Sequence, residues 1–325
     1  MDVWESKMRY NVGMEVVTYS GKTRIGRLAP SPTGALHLGN IRTFMVAWLQ
    51  MRSCGGQVVL RIEDLDHPKH KAGADVALME DLRWLGFDWD GEPTWQSQRL
   101  SYYHTALERL RPWLYPCFCS RADIQRAQSA PHPGEVLRYP GTCRGRAIGV
   151  VSPMNVGKAA LRFALSEADR GCFCDGFAGE QCRVAADLTG DFVVARAGQA
   201  AYTLAVVVDD AEMGVTDIVR GDDILPATPA QVVLYQRLGY SLPHFVHVPL
   251  VTGKDGNRLA KRHGDTRIAS YRAAGVSPQQ ILSALARSCG WLSNTETVST
   301  LSELISRFTL ATIPKAPFVW DDALL

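Results

Sequence analysis

Residues 27–40, Arg-Leu-Ala-Pro-Ser-Pro-Thr-Gly-Ala-Leu-His-Leu-Gly-Asn, place an arginine, two prolines, two glycines and a histidine just ahead of an apolar helical pattern. Such a turn can offer backbone N–H groups and the His37 imidazole to a nucleotide phosphate, and the helix behind it aims its positive end at the same spot. The chemistry implied is ATP binding without a Walker loop. A second polar stretch, Gly253 to Asn257 followed by Arg258-Leu259-Ala260-Lys261-Arg262, gathers cations that can follow phosphate oxygens as pyrophosphate leaves. Taken singly, the first stretch reads equally as a capped helix start and the second as a solvated basic loop.

Cysteines form another constellation. Cys117 and Cys119 stand one residue apart, and Tyr139 and Cys143 follow beyond a loop. Three thiolates can supply tetrahedral zinc ligands, with the Tyr139 oxygen or a water as the fourth. On spacing alone, free thiols beside a turn explain them equally well. Cys172, Cys174 and Cys182 form a second cluster that could compete for a metal, though the plain reading is preferred. Cys54 and Cys289 read as helix-packing residues. In a reducing compartment all eight cysteines are expected as thiols or ligands rather than disulfides.

The positioning elements follow from periodicity. Residues 25–28 and 57–62 read as buried strands, and residues 40–52, 72–85 and 100–114 as helices, with Gly55-Gly56 stopping the first. This alternation argues for a parallel sheet with helical crossovers. Ligands of such sheets sit at the carboxyl ends of the strands, where the Pro-Gly-His turn and Glu63 both fall. Residues 117–200 change character, with short strands at 160–164 and 191–195. Residues 202–208, Tyr-Thr-Leu-Ala-Val-Val-Val, read as an apolar strand ending in Asp209-Asp210. A helix at 230–238, a strand at 247–251 and a mostly helical remainder from 268 complete the chain.

Bulk properties narrow the class. No apolar run approaches the roughly 18 residues of a membrane span, and no secretory signal is visible, so a cytoplasmic protein without membrane attachment is expected. A net charge of +2 is a weak footprint for nucleic acid, so any RNA partner must meet a local basic surface.

The His37-Leu38-Gly39-Asn40 and Arg258–Arg262 segments together resemble the HIGH and KMSKS motifs of the class I aminoacyl-tRNA synthetases. Residues 27–31, 61–66 (Arg-Ile-Glu-Asp-Leu-Asp) and 217–223 (Asp-Ile-Val-Arg-Gly-Asp-Asp) resemble the glutamyl and glutaminyl branch. The resemblance implies an α/β fold: a Rossmann-like nucleotide-binding domain at 23–114 and 201–252, interrupted by a zinc-bearing acceptor-type subdomain at 115–200. Residues 253–325 would hold the KMSKS-like loop and a short helical stem-contact region, and residues 1–22 a tail. It also implies a glutamate pocket of Arg27, Ala29, Ser31, Glu63, Tyr202 and Arg220. ATP would be bound by Pro30, His37, Gly39, Asn40 and Lys261, with His37 and Lys261 catalytic. Chemistry agrees, because a guanidinium fork at Arg27 or Arg220 suits a carboxylate and Glu63 suits an ammonium. Glu63 or Arg220 by itself would pass as an ordinary surface ion pair.

Only residues 263–325 follow Arg262, too few for an anticodon-binding domain. On that ground the chain resembles the shortened glutamyl-queuosine tRNA(Asp) synthetases. That family implies activation of L-glutamate by ATP and magnesium without tRNA, then transfer to the queuosine base in the anticodon loop of tRNA(Asp). The same family binds one structural zinc through a Cys-x-Cys…Tyr-x-x-x-Cys array, here Cys117, Cys119, Tyr139 and Cys143. A monomer is expected. The alternatives are an atypical glutamyl-tRNA synthetase charging a tRNA 3′ end and a non-catalytic RNA-binding paralogue. Departures from the pattern are Ala260 before Lys261 and Arg262 after it, the extra tail with Met14 as a possible start, and a long loop bearing Pro131, Pro133 and Gly134.

Overall fold

The computed structural model describes residues 23–32, 35–65, 73–127, 138–148, 159–257, 259 and 266–325. The tail at 1–22, Thr33 and Gly34, Asp66, the Pro131–Gly134 stretch, and Arg258, Ala260, Lys261 and Arg262 lie outside the described residues.

In chain order the first half runs β1 (Ile25–Leu28), α1 (Leu38–Arg52), β2 (Gln57–Ile62), α2 (Ala74–Trp84), β3 (Thr94–Trp95), α3 (Leu100–Leu110), β4 (Leu114–Cys117), α4 (Arg121–Ala127) and β5 (Ala160–Phe163). Then come β6 (Arg170–Asp175), β7 (Gly179–Val184), α5 (Ala185–Thr189), β8 (Phe192–Arg196), β9 (Gln199–Ala200), α6 (Tyr202–Glu212) and β10 (Asp217–Gly221). The last group is α7 (Thr228–Leu238), β11 (His244–Val248), β12 (Val251–Thr252), α8 (Ile268–Ala273), α9 (Pro278–Ser288) and β13 (Phe318–Val319).

Seven strands form the central sheet in the order β3-β2-β1-β10-β11-β6-β7, parallel throughout except for the β6–β7 hairpin at its edge. Its central strands β1, β2, β10 and β11 are largely buried, as parallel strands flanked by crossover helices must be, while the edge strands β3 and β7 are not. Side chains alternate accordingly: Val58, Leu60 and Ile62 join the core under α1 and α2, while Val59 packs against the core of α3, α6 and α7. Phe245 and Val246 divide in the same way. A separate antiparallel sheet, β4-β5-β8-β9, stands beside it, and β12 pairs with β13 near the C-terminus.

Several sequence expectations change. Residues 202–208 are not a strand but the start of helix α6. The apolar run at 204–208 is too short to carry a usable period, and its burial overrides the strand preference of Val206, Val207 and Val208. Residues 217–221, expected only as a motif, form strand β10 at the middle of the sheet. Helix α3 stops at Leu110, just ahead of Pro112, and the 247–251 strand instead spans His244–Val248. The segment read as an inserted subdomain supplies β6 and β7 to the central sheet. Cys172 and Cys182 face each other across those strands and are joined as a disulfide, against the expectation of thiols throughout. Directly opposed cross-strand positions bring their Cα atoms to 4.0 Å. Among the described residues, no helix is long and apolar enough to cross a membrane.

Candidate active site

A cavity of about 400 Å³ opens at the carboxyl ends of β1, β2 and β10. Its walls include Arg27, Ala29, Pro30, Ser31, His37, Gly39, Asn40, Glu63, Tyr202 and Arg220. Every substrate- and ATP-binding residue expected from the sequence thus lines one space, except Lys261, which lies outside the described residues.

The nucleotide end is built by the entry to α1. His37 caps this helix, and its backbone N–H donates to Asn40 Oδ1 at 3.2 Å. A side chain on Gly39 would press on the His37 ring, so glycine there lets the imidazole fold back over the first helical turn. Leu38 N–H donates to Thr266 O, and Ile268 N–H to Leu36 O. The turn is therefore pinned to the segment that re-enters after the basic loop.

The opposite end is built from charge. Arg27, 5% exposed, donates from Nη1 to Val219 O at 2.9 Å and from Nε to Asp210 Oδ1 at 3.3 Å. Arg61 donates to the same Asp210 oxygen at 2.6 Å and to Glu63 Oε1 at 3.2 Å. Burial pushes the Glu63 carboxyl above its ordinary range, against the pull of Arg61 and Arg27. Glu63 follows β2, held by its backbone N–H to Pro30 O. Tyr202 opens helix α6 and leaves 46% of its surface exposed on the cavity wall.

Arg220 is buried at the end of β10, donating from Nε to His247 Nε2 at 2.9 Å and from Nη2 to Thr228 Oγ1 at 2.7 Å. Its Nη1 is buried with no hydrogen-bond partner among the described residues. Burial pulls this guanidinium below its ordinary value, and the nearby charge of Arg27 acts in the same direction. Two cations around one cavity, one with an uncommitted donor, make a receptor for an anion.

Sequence reasoning missed Asp210, His247 and Asp175. The acidic pair closing the 202–208 run was a usable signal for Asp210. On a helix, neighbours diverge by about 100°. Asp209 accordingly turns to Gln96, Arg99 and Tyr103, and Asp210 to Arg27 and Arg61.

Away from the cavity, the sulfur atoms of Cys117, Cys119 and Cys143 lie within 4.8 Å of one another. Tyr139 Oη is 3.4 Å from Cys117 Sγ and 3.7 Å from Cys119 Sγ, and accepts the Cys143 N–H at 2.8 Å. The Arg162 guanidinium lies 3.7 Å above the Tyr139 ring. Burial raises the Cys143 thiol, but hydrogen bonds from the Phe118 backbone and the neighbouring Tyr139 and cysteines outweigh it and hold it at about 7. Three soft donors and a phenol around one point are a donor set that suits a tetrahedral thiophilic ion.

Comparison with known proteins gives the family. The family model of class I tRNA synthetases (E and Q), catalytic domain, matches residues 23–325. A glutamyl-Q tRNA(Asp) synthetase of Symbiobacterium thermophilum is 47% identical, over 90% of this chain and 94% of the relative. One from Rhodopirellula baltica is 44% identical, over 91% and 96%. The crystal structure of a glutamate-tRNA synthetase from Elizabethkingia anophelis superposes with a TM-score of 0.77 at 26% identity, covering 93% of this chain and 69% of that one. The chain belongs to the class I tRNA synthetases (E and Q), in the family of the glutamyl-Q tRNA(Asp) synthetases.

Proposed function

We propose that this enzyme activates L-glutamate with ATP to glutamyl-adenylate, without tRNA, and transfers the glutamyl group to the queuosine base in the anticodon loop of tRNA(Asp). The observation that carries the reading is the meeting of Arg27, Arg220, Glu63 and Tyr202 with the His37 turn in one cavity. The two arginines receive the side-chain carboxylate of glutamate, and Tyr202 adds a hydroxyl. Glu63 takes the ammonium, whose charge favours the ionised carboxylate against the burial that raises it. Ala29, Pro30 and Ser31 also line the cavity.

The substrate α-carboxylate then attacks the α-phosphorus of ATP in line, and the bond to the β-phosphate oxygen breaks to release pyrophosphate. Such a reaction needs positioning and charge neutralisation more than a protein nucleophile. His37, Gly39, Asn40 and the N-terminus of α1 hold the phosphate region. Lys261 follows the departing phosphates, and magnesium accompanies ATP. Cys117, Cys119, Tyr139 and Cys143 would hold one zinc ion, which would support the fold of its own module away from the cavity.

Glutamate-dependent exchange of pyrophosphate into ATP, with magnesium and no tRNA, tests the first step. Exchange is expected with glutamate, and its absence contradicts the proposal.

A further inference from the structure

Two side chains behind Arg220 take no direct part in the cavity. His247 on β11 and Asp175 at the end of β6 are 1% and 2% exposed, and neither lines it. Strand register brings them together: Arg220 lies beside His247 in the β10–β11 pair, and Asp175 beside Phe245 in the β11–β6 pair. His247 Nε2 is 2.9 Å from Arg220 Nε, and His247 Nδ1 is 2.6 Å from Asp175 Oδ2. A guanidinium has donors only, so Nε2 must accept and the imidazole proton must sit on Nδ1, facing Asp175. Asp175 is itself fixed, its Oδ1 accepting the backbone N–H groups of Phe177 at 2.9 Å, Ala178 at 2.8 Å and His247 at 3.2 Å.

We propose that His247, its tautomer set by Asp175, is a positioning residue that holds the Arg220 guanidinium in the cavity wall in the orientation that receives the substrate carboxylate, and so sets the affinity for glutamate. This rests on the reading that Arg220 receives that carboxylate. His247 and Thr228 hold Nε and Nη2 of Arg220, which fixes the plane of a guanidinium whose own Nη1 has no partner among the described residues. A neutral imidazole is required, because an imidazolium would set one N–H against another beside a cation. Burial, acting with the charge of Arg220 and against Asp175, lowers the His247 value and keeps it neutral.

Asp175→Asn separates positioning from bulk. It preserves shape and the Oδ1 acceptor, but presents an N–H to His247 Nδ1. The imidazole proton must then move to Nε2, where it opposes the Arg220 Nε–H. In the exchange assay on the full chain, KM for glutamate should rise about ten- to a hundredfold, the loss of one charge-assisted hydrogen bond. KM for ATP should stay within about twofold, at an unchanged melting temperature. His247→Gln, which returns an acceptor oxygen, should bind glutamate better than His247→Leu.

A folded Asp175→Asn protein whose glutamate KM is unchanged, or moves in step with that for ATP, overturns the proposal. Should that variant not fold, the imidazole 15N spectrum of the wild type decides: a proton on Nδ1 supports the proposal and one on Nε2 overturns it. Wild-type protein lacking exchange contradicts the proposed function instead, and the spectrum still reports the tautomer.

Discussion

Arg27 and Arg61 meet on a single oxygen, Asp210 Oδ1, at 3.3 and 2.6 Å. They come from adjacent parallel strands, and the carboxylate comes from helix α6, packed beneath the sheet. One buried anion thus fixes two guanidiniums, one on the cavity wall and one behind Glu63. Removing it leaves two buried cations short of a partner. Asp210→Ala should destabilise the fold by about 3–5 kcal/mol, as the breaking of buried ion pairs does, and raise KM for glutamate. Urea unfolding beside exchange kinetics reads both, and a variant as stable as wild type contradicts this account of α6.

Acid stability should depend on Asp217, at the start of β10. Burial alone would raise its carboxyl. Contact with His244 Nδ1 at 3.5 Å, the ion pair with Arg24 and the Thr216 hydroxyl at 2.7 Å overcome this and hold it well below the usual range. A carboxyl whose value is depressed by folding contributes stability that is complete above its unfolded value of about 4 and is lost as pH falls through the depressed one. The stability gap between wild type and Asp217→Asn should therefore be full at neutral pH and shrink steadily below about pH 4. A gap independent of pH would contradict the assignment.

The edge of the sheet makes a packing prediction. Gly171 on β6 faces the backbone of Pro229 at the start of α7 so closely that a Cβ would overlap its Cα and carbonyl oxygen. Gly171→Ala should cost about 1–3 kcal/mol through forced separation of strand and helix. Thermal melts measure it, and a neutral result would mean that β6 is held less tightly than its place beside His247 requires.

How much of this was legible beforehand depended on how locally each feature is encoded. The His37 turn, Arg27, Glu63 and Arg220 stand in contiguous motifs, and the structure brings them to one cavity. Helix α6 was hidden because residues 204–208 are apolar on every side, so no period distinguishes helix from strand. His247 and Asp175 were hidden for another reason. They are 72 residues apart, and only the pairing of β6 with β11 places one beside the other. Short motifs report chemistry that touches the ligand; the groups that aim it depend on sheet order, which no local pattern carries.

Cysteine chemistry supplies two further checks. Unfolded protein without reductant should titrate as the six free thiols Cys54, Cys117, Cys119, Cys143, Cys174 and Cys289, and reduced protein as all eight. Eight thiols without reductant would rule out the Cys172–Cys182 bond. Elemental analysis should find one zinc per chain, lost with Cys117→Ala or Cys143→Ala, and a zinc-free wild type of full stability would contradict the metal assignment.

The destination of the activated glutamate separates modification of queuosine from charging of a tRNA 3′ end. Labelled glutamate, ATP and magnesium should be supplied with tRNA(Asp) containing queuosine, the same tRNA lacking it, and tRNA(Glu). Label is expected on the queuosine-containing tRNA(Asp) alone. Label on the 3′ end of tRNA(Glu), or on tRNA(Asp) without queuosine, would contradict it.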